Sequence, residues 1–260
     1  MDTRKALSAI IILLILMNIT LGIYLIVINS GRGNMEDTLS YTRTILNERN
    51  YKVDCYIPEK AVSLSSVILG ENRFTEQSLE SVMEKTGGNA YIEEGTGIMY
   101  LQGAVTGNSE SGDQSRTSTE AIAGAFIESI GINRDEFILD SFKETGANSY
   151  ILRYIAVDEK GMMYFGSFVE IVIADGSLQT ARILYPVTEA VQEDQGEGMP
   201  VHTILLASLK ATGVEKSIES INPGYFSTDD ESETASISWR VRFSDGDERF
   251  FDAATGMEID

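Results

Sequence analysis

The sequence predicts an α+β protein: a single N-terminal transmembrane helix, then two extracytoplasmic modules of helices packed on antiparallel sheets. Three observations predict it. Residues 6–28 carry no charge and are dominated by Leu, Ile, Val, Met and Ala. Beyond them, segments with helical apolar spacing are each followed by glycine. Between those segments run strand-like stretches punctuated by Asp-Gly and Gly-Thr-Gly turns.

Residues 1–5 read as a cytoplasmic stub and 6–28 as the span. At about 1.5 Å per residue the span reaches about 34 Å, enough for a hydrocarbon core of about 30 Å. The run exceeds the core of a cleaved signal peptide, and no small-x-small site follows it cleanly. Arg4 and Lys5 before it, and Glu36 and Asp37 after it, place the amino terminus in the cytoplasm and the rest outside a single-pass cell-membrane protein. Ile11, Asn18, Gly22, Leu25 and Asn29 fall on one helical face. In lipid an amide seeks a partner and a glycine lets a second backbone approach, so this face is the expected partner-binding surface. The competing reading is an Asn that bonds its own backbone.

Residues 29–35 form a Gly-rich tether, and 36–112 the first extracytoplasmic module. A helix over 37–49 presents Leu39, Thr42, Ile45 and Leu46; a strand over 52–57 stops at Pro58, with a less regular one over 62–69. Thr75 opens a second helix, closed by Gly87-Gly88. A hairpin follows over 90–94 and 98–105. The polar stretch 106–116 reads as a linker.

The second module spans 113–260. Thr117-Ser118-Thr119-Glu120 matches a capping box. Strands are expected over 137–144, 150–157, 162–174 and 178–186, the last two joined at Asp175-Gly176. Residues 188–199 read as an acidic connector, and Pro200 opens a helix to about 210. Strands over 217–225, 235–243 and 248–252 complete the chain. Helix-then-strands thus recurs as two units, about 118–186 and 200–260.

Composition narrows function. Forty acidic residues against 20 basic ones give a net charge of −20. Such a surface repels nucleic acid, so no nucleic-acid partner is expected. Cys55 is the only cysteine and His202 the only histidine. An internal disulfide and a multi-histidine metal site are excluded. Cys55 lies on the apolar side of its strand and His202 in an apolar helix; both read as structural. The carboxylates Asp229, Asp230, Glu231 and Glu233, and the pair Asp245 and Asp247, lack EF-hand spacing and read as solvated turns. No catalytic, cofactor-binding or metal-ligating residue is expected, which shifts weight from enzyme to binding protein.

Two stretches resemble known families. Met1-Asp2, the basic pair, the Ile/Leu run with Asn18-Ile19-Thr20-Leu21-Gly22-Ile23-Tyr24, the helix over 37–49 and the strand ending at Ile57-Pro58 resemble the YycI family; Thr3 departs from its usual Trp. The resemblance implies a regulator of the sensor histidine kinase YycG (WalK), acting with a YycH-like membrane protein through helix and outer-domain contacts. Trp239-Arg240-Val241-Arg242-Phe243, Asp245-Gly246, Phe250-Phe251-Asp252-Ala253 and Thr255-Gly256-Met257-Glu258-Ile259 resemble the closing hairpin of PepSY-type domains. That likeness implies a helix-on-sheet unit. It leaves two alternatives: a binding or inhibitory module acting on a cell-envelope protease, and a tethered cell-wall hydrolase.

Overall fold

The structure, a computed structural model, describes Met17 and residues 35–103, 116–227 and 234–259. Helix α1 (Met35–Glu48) buries Leu39, Thr42 and Leu46 on one stripe. Asn50 then turns through a left-handed conformation, φ 65°, into β1 (Tyr51–Val53). The long strand β2 (Ser63–Asn72) leads to α2 (Glu76–Thr86), where the Ser78 hydroxyl accepts the Thr75 amide at 3.0 Å. Gly87 closes α2 at φ 69°, a conformation that costs a side chain. A hairpin of β3 (Asn89–Ile92) and β4 (Met99–Gln102) follows.

Helix α3 (Arg116–Ser129) precedes a 3₁₀ turn (Arg134–Glu136) and the meander β5 (Phe137–Gly146), β6 (Ser149–Val157), β7 (Met163–Ala174) and β8 (Ser177–Leu184). Then come β9 (Pro186–Glu197), α4 (Val201–Ser208), β10 (Lys216–Phe226), β11 (Thr234–Phe243), β12 (Glu248–Asp252) and β13 (Glu258–Ile259).

Two cores organise these elements. In the first, strands ordered β5-β6-β7-β8-β4-β3 are antiparallel throughout. Val82 of α2 and Ala123, Phe126 and Ile127 of α3 pack on Met99, Leu101, Leu152, Val169, Ile171 and Ile183. In the second, Leu39 and Leu46 of α1 and Ile204 and Leu205 of α4 cover Ile218, Ile237, Trp239, Val241 and Phe251. Arg49 ties the two helices of this core: its Nη1 donates to the carbonyls of Leu206 (2.6 Å) and Leu209 (2.8 Å). It thereby satisfies acceptors that the end of α4 leaves open.

The sheets are continuous. β7 pairs in parallel with β10 at Met163/Gly224 and Tyr164/Tyr225, and β1 runs parallel to β10. β2 pairs with β11 along one side and β9 along the other. The result is a single hydrogen-bonded network of 13 strands.

The expected fold class is therefore corrected. The described chain is mostly β, one connected sheet with helices as cover. Its two helix-on-sheet layers are interleaved instead of consecutive, since residues 39–57 complete the core formed by 201–253. Alternation identifies strands from sequence, but the choice of partner is long-range and leaves no local mark. Among the described residues no helix is long and apolar enough to cross a membrane. A single N-terminal transmembrane helix is thus unsupported; the segment 6–28, Met17 apart, lies outside the described residues. The linker 106–116 lies outside them up to residue 115. The acidic connector 188–199 is mostly strand β9. Its charge signals solvent exposure, which an edge strand shares with a loop.

Candidate functional site

Strand alternation sends every second residue of the first sheet away from α2 and α3. On that outer face the ladder aligns Tyr91 with Tyr100, Tyr100 with Arg182, Arg182 with Glu170, and Glu170 with Arg153. The Tyr91 and Tyr100 rings stack at 5.2 Å and 7°. The Arg182 guanidinium lies 5.6 Å from the Tyr100 ring and 5.8 Å from Phe168, and Arg153 sits 4.9 Å over Phe168. Arg182 also pairs with Glu170 at 3.1 Å. Cation–π and cross-strand contacts of this kind hold each side chain upright on the sheet. Tyr91 remains half exposed, and the Nε atoms of Arg153 and Arg182 have no hydrogen-bond partner. In a chain of net charge −20, this is a preformed aromatic surface with two guanidiniums.

At the near end of this face the two units lock together. The Asp140 carboxylate of β5 receives Arg240 Nη2 at 2.5 Å and Nη1 at 3.0 Å, and also binds Arg242 Nη2. Arg242 Nη1 donates to the Asp140 carbonyl at 2.7 Å and its Nε to Glu248 at 2.7 Å. Arg240 and Asp140 are almost fully buried, at 1% and 3% exposure. Burial alone would raise the Asp140 carboxyl; the two guanidiniums outweigh it and hold it below the usual range. Gly224 permits the close approach of β7 and β10: a Cβ there would stand 2.5 Å from the Met163 carbonyl and 2.6 Å from the Phe165 ring.

Two clefts border the β2–β9 ribbon. A cleft of about 500 Å³ is lined by Arg73, Glu136, Asp158, Tyr164, Tyr185 and Thr188 among others. Tyr185 donates to Glu136, and burial together with that carboxylate pushes its phenol up to about 12. Asp158 accepts the amides of Lys160 and Met162, both at 2.8 Å. Both carboxylates of the cleft are thus engaged in holding local structure. The second cleft, about 540 Å³, is lined by Ser63, Leu64, Lys160, Met162, Val191 and Tyr225 among others.

The residues singled out from sequence fall elsewhere. Ile11, Asn18, Gly22, Leu25 and Asn29 lie outside the described residues, as do Asp229, Asp230, Glu231 and Glu233. His202 sits on α4 with its Nδ1 buried and unpartnered, and burial lowers its pKa. Cys55 is half-buried and its thiol is raised chiefly by burial. Asp245 and Asp247 hold Lys216 at 3.2 and 3.0 Å. Among the described residues no group of three His, Cys, Asp or Glu side chains is placed to hold a metal ion. Sequence reasoning missed the aromatic–arginine row. Its members occupy alternate positions of expected strands, yet nothing local says that β4 lies between β3 and β8.

Comparison with protein-family models finds no match, and comparison with curated proteins finds none either. Distant likenesses occur among solved structures. An uncharacterized protein from Eubacterium rectale is 14% identical with TM-score 0.47, covering 80% of this chain and 90% of that one. The Bacillus megaterium YpeB C-terminal domain is 9% identical with TM-score 0.40, covering 74% of this chain and 97% of that one. The YycI relationship is not shown. At these scores neither likeness carries an argument about fold family or activity.

Proposed function

We propose that this chain is a non-enzymatic regulatory module that acts by contact, docking a partner protein on the open face of its first sheet. The observation that carries this reading is the row Tyr91, Tyr100, Arg182 and Arg153 with Phe168: rigid aromatics and guanidiniums, uncovered by either helix of that unit. Tyr and Arg are the residues that dominate contact energy at interfaces. Regulation then follows by linkage, the module favouring whichever partner state binds the face more tightly. The resemblance of the amino-terminal 60 residues to YycI supports a YycG-type sensor histidine kinase as that partner.

The test is autophosphorylation of a YycG-type kinase in vesicles, with and without the full-length chain. The expected result is a change in rate that the Tyr91→Ala/Arg182→Gln double variant abolishes. An unchanged rate with the unaltered chain removes the kinase as partner. An effect that survives the double variant removes the face as the docking surface.

A further inference from the structure

We infer that the cleft between β7 and the start of β9 is a binding site for a small zwitterion of the amino-acid class. The site is separate from the aromatic–arginine face, and the inference stands whether or not that face engages a kinase. β7 changes neighbours here. Along one edge it pairs with β8 as far as Phe168/Leu184, and with β10 at Tyr164/Tyr225. Along the other, its register with β6 jumps from Phe168/Ile155 to Tyr164/Ala156. Phe165, Gly166 and Ser167 thus have no ladder partner on either edge. Beyond Leu184 the chain turns away from β7, and β9 pairs with β2 at Pro186/Asn72 and Thr188/Leu69. The cleft of about 500 Å³ lies at this split, walled by Tyr164 and Ser167 on one side and Tyr185 and Thr188 on the other. Its volume falls within the range of about 300–1,000 Å³ typical of small-molecule sites. Interrupted ladders leave backbone donors and acceptors to be satisfied, and bulged strands recur beside binding sites for that reason.

The side chains select the ligand. Burial alternates along β7, so Ser167 points to the same side as Val169 of the first core. Ser167 is 3% exposed and lines the cleft, and its hydroxyl has no hydrogen-bond partner among the described residues. A buried hydroxyl without a partner costs free energy that a ligand's polar group recovers. The cleft also holds two carboxylates, Glu136 and Asp158, and one guanidinium, Arg73. Glu136 is engaged at both oxygens, by Asn133 and Tyr185. Asp158 accepts two backbone amides at Oδ1 and keeps Oδ2 open, a place for an ammonium. Arg73 Nη2 donates to the Gly131 carbonyl at 3.0 Å, and the exposed remainder of its fork can take a carboxylate. A ligand that is only anionic would meet two like charges, and one that is only cationic would meet Arg73. An ammonium and a carboxylate on one small molecule answer both.

The test uses the full-length chain in a non-ionic detergent and each standard L-amino acid in turn as the probe. At least one should raise the thermal unfolding midpoint with saturation, and titration calorimetry should then give its affinity. On the unaltered chain, the N-acetyl derivative of that amino acid, which lacks the ammonium, and its amide, which lacks the carboxylate, should each bind about tenfold or more weakly. Ser167→Ala, Arg73→Gln and Asp158→Asn should each weaken the free amino acid to a similar degree; the asparagine carbonyl can still accept the Lys160 and Met162 amides. Near-UV circular dichroism checks that the variants stay folded; if they do not, the two derivatives decide on the unaltered chain. No midpoint shift with any amino acid overturns the inference. So does equal binding of either derivative, since the ligand is then not read as a zwitterion. Binding unchanged in all three folded variants also overturns it, because the amino acid then sits elsewhere.

Discussion

Asp140 is the residue on which the joining of the two units turns. Two guanidiniums meet it in a nearly water-free setting, so Asp140→Ala leaves buried positive charge without a counter-charge. Breaking a buried pair from one side costs about 3–5 kcal/mol, and the denaturant midpoint should fall accordingly. The pH dependence has a definite sign. The folded-state pKa of Asp140 lies below its ordinary value. Its contribution is therefore present above the ordinary carboxyl pKa and is lost as pH falls through the depressed one. Acid unfolding of Asp140→Asn should lack this component. Tyr185 gives the opposite case. Its phenol titrates near 12, so the stability it confers is complete below pH 10 and lost as pH rises toward 12. Tyr185→Phe should flatten stability across that alkaline range, as followed by fluorescence-detected unfolding. The sequence contains both residues but not these roles, because a partner 100 positions away along the chain makes each role of Asp140.

At the scale of elements, caps and turns were legible and pairing was not. The Thr75 start and Gly87 end of α2, the Gly-Thr-Gly hairpin and the Asp175-Gly176 turn all follow from local chemistry: a hydroxyl at a helix start, a residue at positive φ where a chain must reverse. Gly87 has open space around it, so Gly87→Ala should cost only the left-handed backbone penalty, about 1 kcal/mol, measurable as a small drop in midpoint. Gly224 differs: its neighbours are backbone and a ring within 3 Å. Gly224→Ala must force β7 and β10 apart at an overpacking cost of about 1–3 kcal/mol, with a change in near-UV signal from the Tyr164–Tyr225 stack. β9 was misread as a connector because acidity is a property of solvated edges as much as of loops, and the pairing that makes it a strand comes from β2, more than a hundred residues earlier.

At the scale of the whole molecule, the interleaving decides what can fold alone. Leu39, Leu46, Tyr51 and Ile57 are almost completely buried among residues 201–253. A chain starting at residue 113 would open that core and also lose β2, which pairs with both β9 and β11. Such a fragment should show poor amide dispersion by NMR, whereas a chain that keeps residues 35–260 should give a dispersed spectrum. The aromatic–arginine face was the least legible feature of all. Five strands from two separate stretches of the sequence supply it, and only the sheet order β6-β7-β8-β4-β3 brings Arg153, Glu170, Arg182, Tyr100 and Tyr91 into one row, with Phe168 beside it on the same face. The sequence-derived surface on residues 11–29 and this face are different proposals, and only the latter rests on described residues. The direct measurement is the solution affinity of the full-length chain for the extracytoplasmic portion of a YycG-type kinase, taken by calorimetry with and without Tyr91→Ala/Arg182→Gln. Contact through the open face predicts measurable binding that weakens by about tenfold or more in the double variant at unchanged folding stability, as expected when Tyr and Arg anchors are removed from an interface; equal affinities for the two proteins would contradict it.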